Sequence, residues 1–356
     1  AWQTVCLNQF HDILPGSSFH AVYQDAAIQY EAVLKTCETI VSDSVAALES
    51  WVQSDASILA VNAASEPQSG FARLPDAYTG GALYWKDLPL TVAEREGAPH
   101  VWLDDVPPYG FAALKQTPEK ANLLREEPDP EAIRGEEFVL ENESVTAAFN
   151  SRGELIRWTA RKDGRERIPG GRAALQWQLF EDCPPDWDAW DIDASYREKG
   201  FEHAEIREIR PYRVGDHLRG LCVRQTIGQS EIRQWIELFA DEDVLHVRCE
   251  LDWRERQKLL KVAIPLAIHH TRASFGTQFG VVERPTHSNT SWEEAKFETC
   301  MQGFADLSEG DYGVSLASHC KYGVRIFENE ISLSVQKGAV FPDETAEEGL
   351  HRFAFR

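Results

Sequence analysis

The chain has 356 residues, 43% hydrophobic and 26% charged, which is the balance of a soluble globular protein with room for two or three cores. Its net charge of -22 is carried by Glu and Asp interleaved with Arg along the whole length. There is no basic block to neutralise a phosphate backbone or an anionic membrane surface, and no apolar run of the ~20 residues a bilayer span needs, so nucleic acid and membrane are not expected partners.

Taken in order, Trp2, Val5, Cys6 and Gln9 fall at helical spacing over Ala1–Phe10, with no capping residue before them. The chain opens at Ala1 instead of Met, so a preceding segment is expected. Pro15 and Gly16 break the helix, and Ser18 is placed to cap the next one. Val22, Ala26, Tyr30, Val33, Cys37, Ile40, Val41, Val45 and Leu48 then recur with a period near 3.6, which predicts one long helix from Phe19 to Ser50 with a single apolar stripe. Two helices cannot shelter such a stripe, so this part reads as the remnant of a bundle.

After Trp51 the pattern changes to short apolar runs punctuated by Gly, Pro, Asn and Asp: Ile58–Val61, Gly70–Leu74, Val101–Leu103 and Tyr109–Leu114. Residues Thr117–Arg134 are polar and Pro-bearing and read as a linker or long loop, with a domain boundary inside. From Phe138 onward alternation with period 2 dominates, at Val145, Ala147 and Phe149, at Leu218, Leu221 and Val223, over Val244–Leu251 and over Leu259–Ile268. No helix longer than two turns is expected after Ser50, and Leu350–Arg356 reads as a strand that stops without a turn, as in a truncated end. The expected fold is mainly β with an N-terminal α part: a remnant of a three-helix middle domain (1–52), a small β domain (53–125) and a large antiparallel super-sandwich (126–356).

Seven cysteines, Cys6, Cys37, Cys183, Cys222, Cys249, Cys300 and Cys320, are scattered without a CxxC pair, which suggests reduced thiols in a cytoplasm and no thiolate zinc site. No phosphate-binding glycine loop or G-x-S-x-G elbow stands between a strand and a helix, which argues against nucleotide cofactors and serine esterase chemistry.

The most informative stretch is Asn8-Gln9-Phe10-His11-Asp12-Ile13-Leu14-Pro15-Gly16-Ser17, which sets an imidazole beside a carboxylate at a helix break. On chemistry alone the pair is open to two readings: a structural hydrogen-bonding pair at a turn, or a zinc-binding imidazole beside a carboxylate that accepts from sugar hydroxyls. The run Glu181, Asp182, Asp186, Trp187, Asp188, Trp190, Asp191, Asp193 is either a sugar platform or, as preferred, an acidic loop whose tryptophans pack on a neighbouring domain. His287, Asn289, Ser291 and Trp292 lie in a polar loop, with binding and turn chemistry equally good accounts. Asp104-Asp105 and Glu347-Glu348 read as surface charge, and alternation is expected to turn one of His269 and His270 inward.

Residues 8–17 resemble the Gln-x-His-Asp-x-Leu-Pro-Gly-Ser signature of glycoside hydrolase family 38 α-mannosidases. Val106-Pro107-Pro108-Tyr109-Gly110 resembles a motif of that family's small β domain, and Leu179–Asp182 with Trp187–Asp193 resembles a bacterial-branch signature. Thr286-His287, Asn289–Trp292, Ala305–Glu309, Asp311–Val314 and Cys320–Gly323 are similar to a third block, so the likeness spans nearly the whole chain. The resemblance implies a zinc-dependent retaining α-mannosidase that hydrolyses terminal α-linked mannose from oligosaccharides or glycosides, of which this is a C-terminal fragment lacking the catalytic β/α domain. It implies His11 as one zinc ligand and Asp12 as a substrate contact. No catalytic residue is assigned in this chain, which alone is expected to be inactive, and the sandwich is expected to be mutarotase-like. The alternative is a non-catalytic carbohydrate-binding β-sandwich module. Linkage, aglycone and oligomeric state leave no mark on the sequence.

Overall fold

In a computed structural model describing residues 1–52 and 57–356, the amino-terminal periodicity resolves into two helices, α1 (Trp2–Asn8) and α2 (His20–Trp51). The expected start of the small β domain, residue 53, lies outside the described residues. Ser18 does not act as a helix cap: its hydroxyl donates to the carbonyl of Asp12 at 2.7 Å, and its N–H to Tyr23 Oη at 2.8 Å. Of the expected apolar stripe of α2, Ala26 is buried and Val22, Val33 and Val45 are half-buried, while Ile40, Val41 and Leu48 are exposed, as are Ile28 and Leu34 outside it. The chain divides into two compact units, Ala1–Leu7 with Ala26–Glu127, and Asn8–Asp25 with Pro128–Arg356.

The β part of the first unit is two four-stranded sheets around a small core of Leu74, Leu83, Val92, Val101, Leu103, Val106, Ala112 and Leu114. One sheet is built on strand Gly110–Lys120, which pairs antiparallel with Ile58–Asn62 and with Gly81–Trp85. That strand runs well into the stretch expected to be a loop. Its polar end, Gln116 to Lys120, crosses Gly81–Leu83 with a register shift, and Pro118 sits in that irregularity, where no ladder N–H is needed. A Cβ on Gly81 would lie 2.4 Å from the Thr117 carbonyl, so only glycine lets the two strands approach there.

The second unit buries the larger core. A sheet with the strand order Gly349–Phe355, Leu245–Trp253, Ser230–Phe239, Leu218–Ile227, Glu205–Val214 is antiparallel throughout. Strand Leu245–Trp253 alternates strictly, burying Leu245, Val247, Cys249, Leu251 and Trp253. A second sheet, in the order Phe201–His203, Gln176–Glu181, Lys258–Pro265, Glu330–Lys337, Gly323–Phe327, Thr299–Cys300, contributes Trp177, Leu179, Val262 and Leu333 to the same cluster. Here the sequence expectation needs correcting, because Leu259 to Pro265 is buried on both faces and does not alternate. His269 and His270 lie beyond that strand and are both exposed. Two four-stranded sheets, one of them the hairpin series Ile133–Arg134 to Leu155–Ala160, complete the unit. After α2 the described residues hold no α-helix longer than the single turn α3, Ser291–Glu294. The chain is thus mainly β with an N-terminal α part, and none of its described helices is long and apolar enough to cross a membrane.

Candidate functional site

Between α1 and α2 the chain folds back in a tight turn, with Ile13 and Leu14 N–H donating to the Phe10 carbonyl at 2.9 and 3.0 Å and Gly16 N–H donating to Ile13 at 3.2 Å. Gly16 stands at φ 84°, a left-handed conformation that a side chain would strain. Three hydroxyls gather on the Asp12 carbonyl: Ser18 at 2.7 Å, Tyr23 at 3.3 Å and Ser17 at 3.4 Å. Their effect is to fix the backbone of the turn while leaving both side chains of the His-Asp pair outside it. The His11 side chain is 71% exposed and that of Asp12 45%. Nε2 of His11 is 3.5 Å from Asp12 Oδ2, too long for a strong hydrogen bond, so the structural-pair reading accounts poorly for the two together.

Two aromatic rings frame the imidazole. Phe10 lies 4.2 Å away between centroids, and Trp190, distant in sequence, lies 6.5 Å away. The turn is tied to the rest of its unit by His20, whose Nδ1 meets Asp343 Oδ2 at 2.9 Å. Burial works against ionisation of Asp343, but the N–H and hydroxyl of Thr345 and the His20 ring outweigh it and hold the carboxyl below its usual range.

The acidic-aromatic loop divides into two roles. Its buried carboxylates are structural: Asp188 accepts from the Val340 and Phe341 N–H groups at 2.7 and 3.1 Å, and Asp182 accepts from Asp193 N–H and from Lys337 Nζ. A hydrogen bond from Lys199 Nζ, assisted by the hydroxyl and N–H of Ser195, brings the Asp193 carboxyl down to about 2. The tryptophans do the opposite, with Trp187 66% and Trp190 53% exposed. In the third block Trp292 and Asn289 are also exposed, and Glu293 Oε2 accepts from Thr290 N–H at 2.9 Å to close the first turn of α3. Glu347 is not the surface charge that its sequence position suggested: burial pushes its carboxyl up, and Gln336 donates to it.

One cluster was not singled out from the sequence. Lys261 is fully buried on strand Lys258–Pro265 and bonds both oxygens of Glu298, at 2.8 and 2.7 Å, and Ser334 Oγ at 2.8 Å. Tyr196 Oη donates to the same Glu298 at 2.5 Å. Burial lowers the Lys261 ammonium against the opposing pull of Glu298, and burial beside that carboxylate raises the Tyr196 phenol. The detectable signal was a lysine set between Leu260 and Val262.

As a zinc donor set, the turn offers one accessible imidazole with a carboxylate beside it. Among the described residues no three His, Cys, Asp or Glu side chains converge as metal ligands do. His11 fits one corner of a zinc shell by its chemistry, and a shell that included it would need its other corners from outside these residues.

Residues 140–345 match the glycosyl hydrolases family 38 C-terminal domain, and residues 1–48 match the alpha mannosidase middle domain. The chain belongs to glycosyl hydrolase family 38. It is 30% identical over 360 residues to human alpha-mannosidase 2C1, covering 99% of this chain and 33% of that protein. Against the Saccharomyces cerevisiae alpha-mannosidase the figures are 27% over 368 residues, 99% and 30%. The chain thus spans about a third of the length of the curated relatives it matches. Among solved structures, an alpha-mannosidase from Enterococcus faecalis V583 superposes with a TM-score of 0.75 at 13% identity, over 99% of this chain and 49% of that one. A second family 38 protein from Enterococcus faecalis gives 0.77 at 13%, over 99% and 51%. At that identity the superpositions establish the fold of this family 38 chain.

Proposed function

We propose that the chain is the carboxyl-terminal part of a zinc-dependent, retaining α-mannosidase acting on terminal α-linked mannose, with His11 as one zinc ligand and Asp12 as a contact to the sugar. The observation that carries this reading is the joint exposure of His11 and Asp12 on a turn whose backbone is held by three hydroxyls, in a chain of this family. The nucleophilic and acid carboxylates of a retaining glycosidase, and the remaining zinc ligands, belong in this reading to an amino-terminal catalytic β/α domain outside the chain. The exposed apolar residues of α2, Ile28, Leu34, Ile40 and Val41 among them, and the exposed Trp187 support such a neighbour. The three-part division at residues 52 and 125 and a cytoplasmic setting, supported by seven free thiols, belong to the same proposal.

Zinc, when bound, supplies a Lewis-acid template for adjacent sugar hydroxyls. His11 offers a neutral nitrogen donor held in place by the pinned turn. Asp12 accepts hydroxyl protons from the sugar, and Trp190 offers an indole face of the kind that stacks on pyranose rings. By itself the chain is inactive. In the intact enzyme, His11→Ala lowers zinc content and aryl α-mannoside hydrolysis together, each by at least about 100-fold, since losing a ligand costs more than losing a group that merely orients one. Retention of stoichiometric zinc by that variant sinks the ligand role.

The exposed Trp187 and Trp190 also support a second reading, a carbohydrate-binding sandwich without catalysis. Titration with mannose oligosaccharides separates the two: saturable binding that survives replacement of both His11 and Asp12 by alanine favours the module.

A further inference from the structure

A cavity of about 210 Å³ opens in the second unit beside the buried Lys261 cluster, with Tyr196 in its wall. Its cations are Arg197, Arg284, Arg325 and, on the exposed rim, Lys296. Arg325 and Arg284 have aromatic neighbours and no carboxylate partner among the described residues: the Arg325 guanidinium lies 4.2 Å from the ring centre of Phe327, and that of Arg284 5.7 Å from Phe275. The Nε of Arg284 is buried without a hydrogen-bond acceptor. His287 Nδ1 is buried and makes no hydrogen bond, but the carboxylate oxygen Oε2 of Glu293 lies 3.3 Å from it.

Arg197 is paired with Glu330 at 3.6 Å, so Arg284 and Arg325 are the guanidinium groups of the cavity without an ion-pair partner among the described residues. Of the carboxylates in the wall, Glu293 is engaged with Thr290 at the start of α3 and with His287, and Glu198 and Glu294 are exposed. Burial lowers the Arg325 guanidinium and the neighbouring Arg197 lowers it further, against the weaker opposing pull of Glu298 and Glu330, neither of which forms an ion pair with it among the described residues. Desolvated guanidinium groups cost free energy unless an anion meets them, and their planar forks match phosphate and carboxylate oxygens in pairs. In a chain of net charge -22, two such guanidinium groups at one cavity are a local feature. The cavity falls below the ~300–1,000 Å³ of drug-sized pockets, which limits the occupant to a small molecule.

We propose that this cavity binds the phosphate or carboxylate group of a small molecule, held by Arg284 and Arg325. The site is independent of His11 and Asp12.

The test is calorimetric titration of the intact protein with inorganic phosphate and, separately, with succinate, at constant ionic strength. Saturable binding of one of them is expected, and the tighter probe identifies which oxyanion the site takes. Arg284→Gln and Arg325→Gln each weaken binding by at least about 10-fold, the scale of one charge-assisted pair. Arg352→Gln, which removes a surface partner of Glu250, leaves binding unchanged. Melting temperature without anion keeps the test independent of folding, because removing an unpaired, desolvated charge leaves it unchanged or raises it. Failure of both probes to saturate below about 50 mM overturns the proposal, since so weak an affinity is no more than nonspecific attraction. Lower melting temperatures in both variants with wild-type anion affinity also overturn it, by assigning the arginines to structure alone.

Discussion

The helix α2 and the sandwich strands are equally patterned, yet they treat their apolar residues in opposite ways. Strand Leu245–Trp253 buries every second side chain, whereas α2 leaves Ile40, Val41 and Leu48 of its stripe in solvent. The difference teaches that periodicity reports which face an element intends to bury, and not whether this chain supplies the cover. The sandwich contains both sides of its own core; the helix has one side of an interface.

The sharpest way to break that contrast is a pair of truncations followed by denaturant unfolding. Phe149→Ala in the sandwich core, where the ring is fully buried, is expected to cost about 3–5 kcal/mol. Leu34→Ala, at 61% exposure, stays within about 0.5 kcal/mol in this chain. A large loss at Leu34 would show that this face of α2 is already covered.

Next in size is the buried ion pair. Lys261→Met strands Glu298 beside Tyr196 and is expected to cost about 3 kcal/mol, the low end for breaking a buried pair because the phenol still donates. Adding Glu298→Gln recovers part of the loss, and a double-mutant cycle with no coupling energy contradicts the pairing.

The smallest effect lies in the loop that carries the tryptophans. The Asp193 carboxyl is brought from its ordinary value down to about 2, so its stabilising contribution is complete above the unfolded value and is lost as pH falls through about 2. Lys199→Met removes the main cause and moves that loss to higher pH, as following the Asp193 carboxyl by NMR would show. A midpoint that stays put would mean that Ser195 alone holds the charge.

What the sequence made legible follows the same physical division. The long strands and α2 were readable because repeating burial imposes a repeating pattern, and the His11–Asp12 turn was readable because Pro15 and Gly16 mark it. The strand that runs to Lys120 was hidden, since its end faces solvent, carries Pro118 and is tolerated only by a glycine across the sheet. Lys261 interrupts an apolar run, but nothing local says that Glu298 waits opposite it. The approach of Trp190 to His11 is likewise a product of tertiary folding, which no local period records.

The order of strands in the sheet edged by Gly349–Phe355 carries a consequence for synthesis. Glu205–Val214 through Leu245–Trp253 zip together as successive hairpins, so that half of the sheet forms from local contacts and quickly. The flank of Leu245–Trp253, however, is completed only by Gly349–Phe355, after all of residues 254–348 has intervened. During translation that flank is a bare row of peptide groups, and a ribosome stalled anywhere in the interval holds out a template for aggregation.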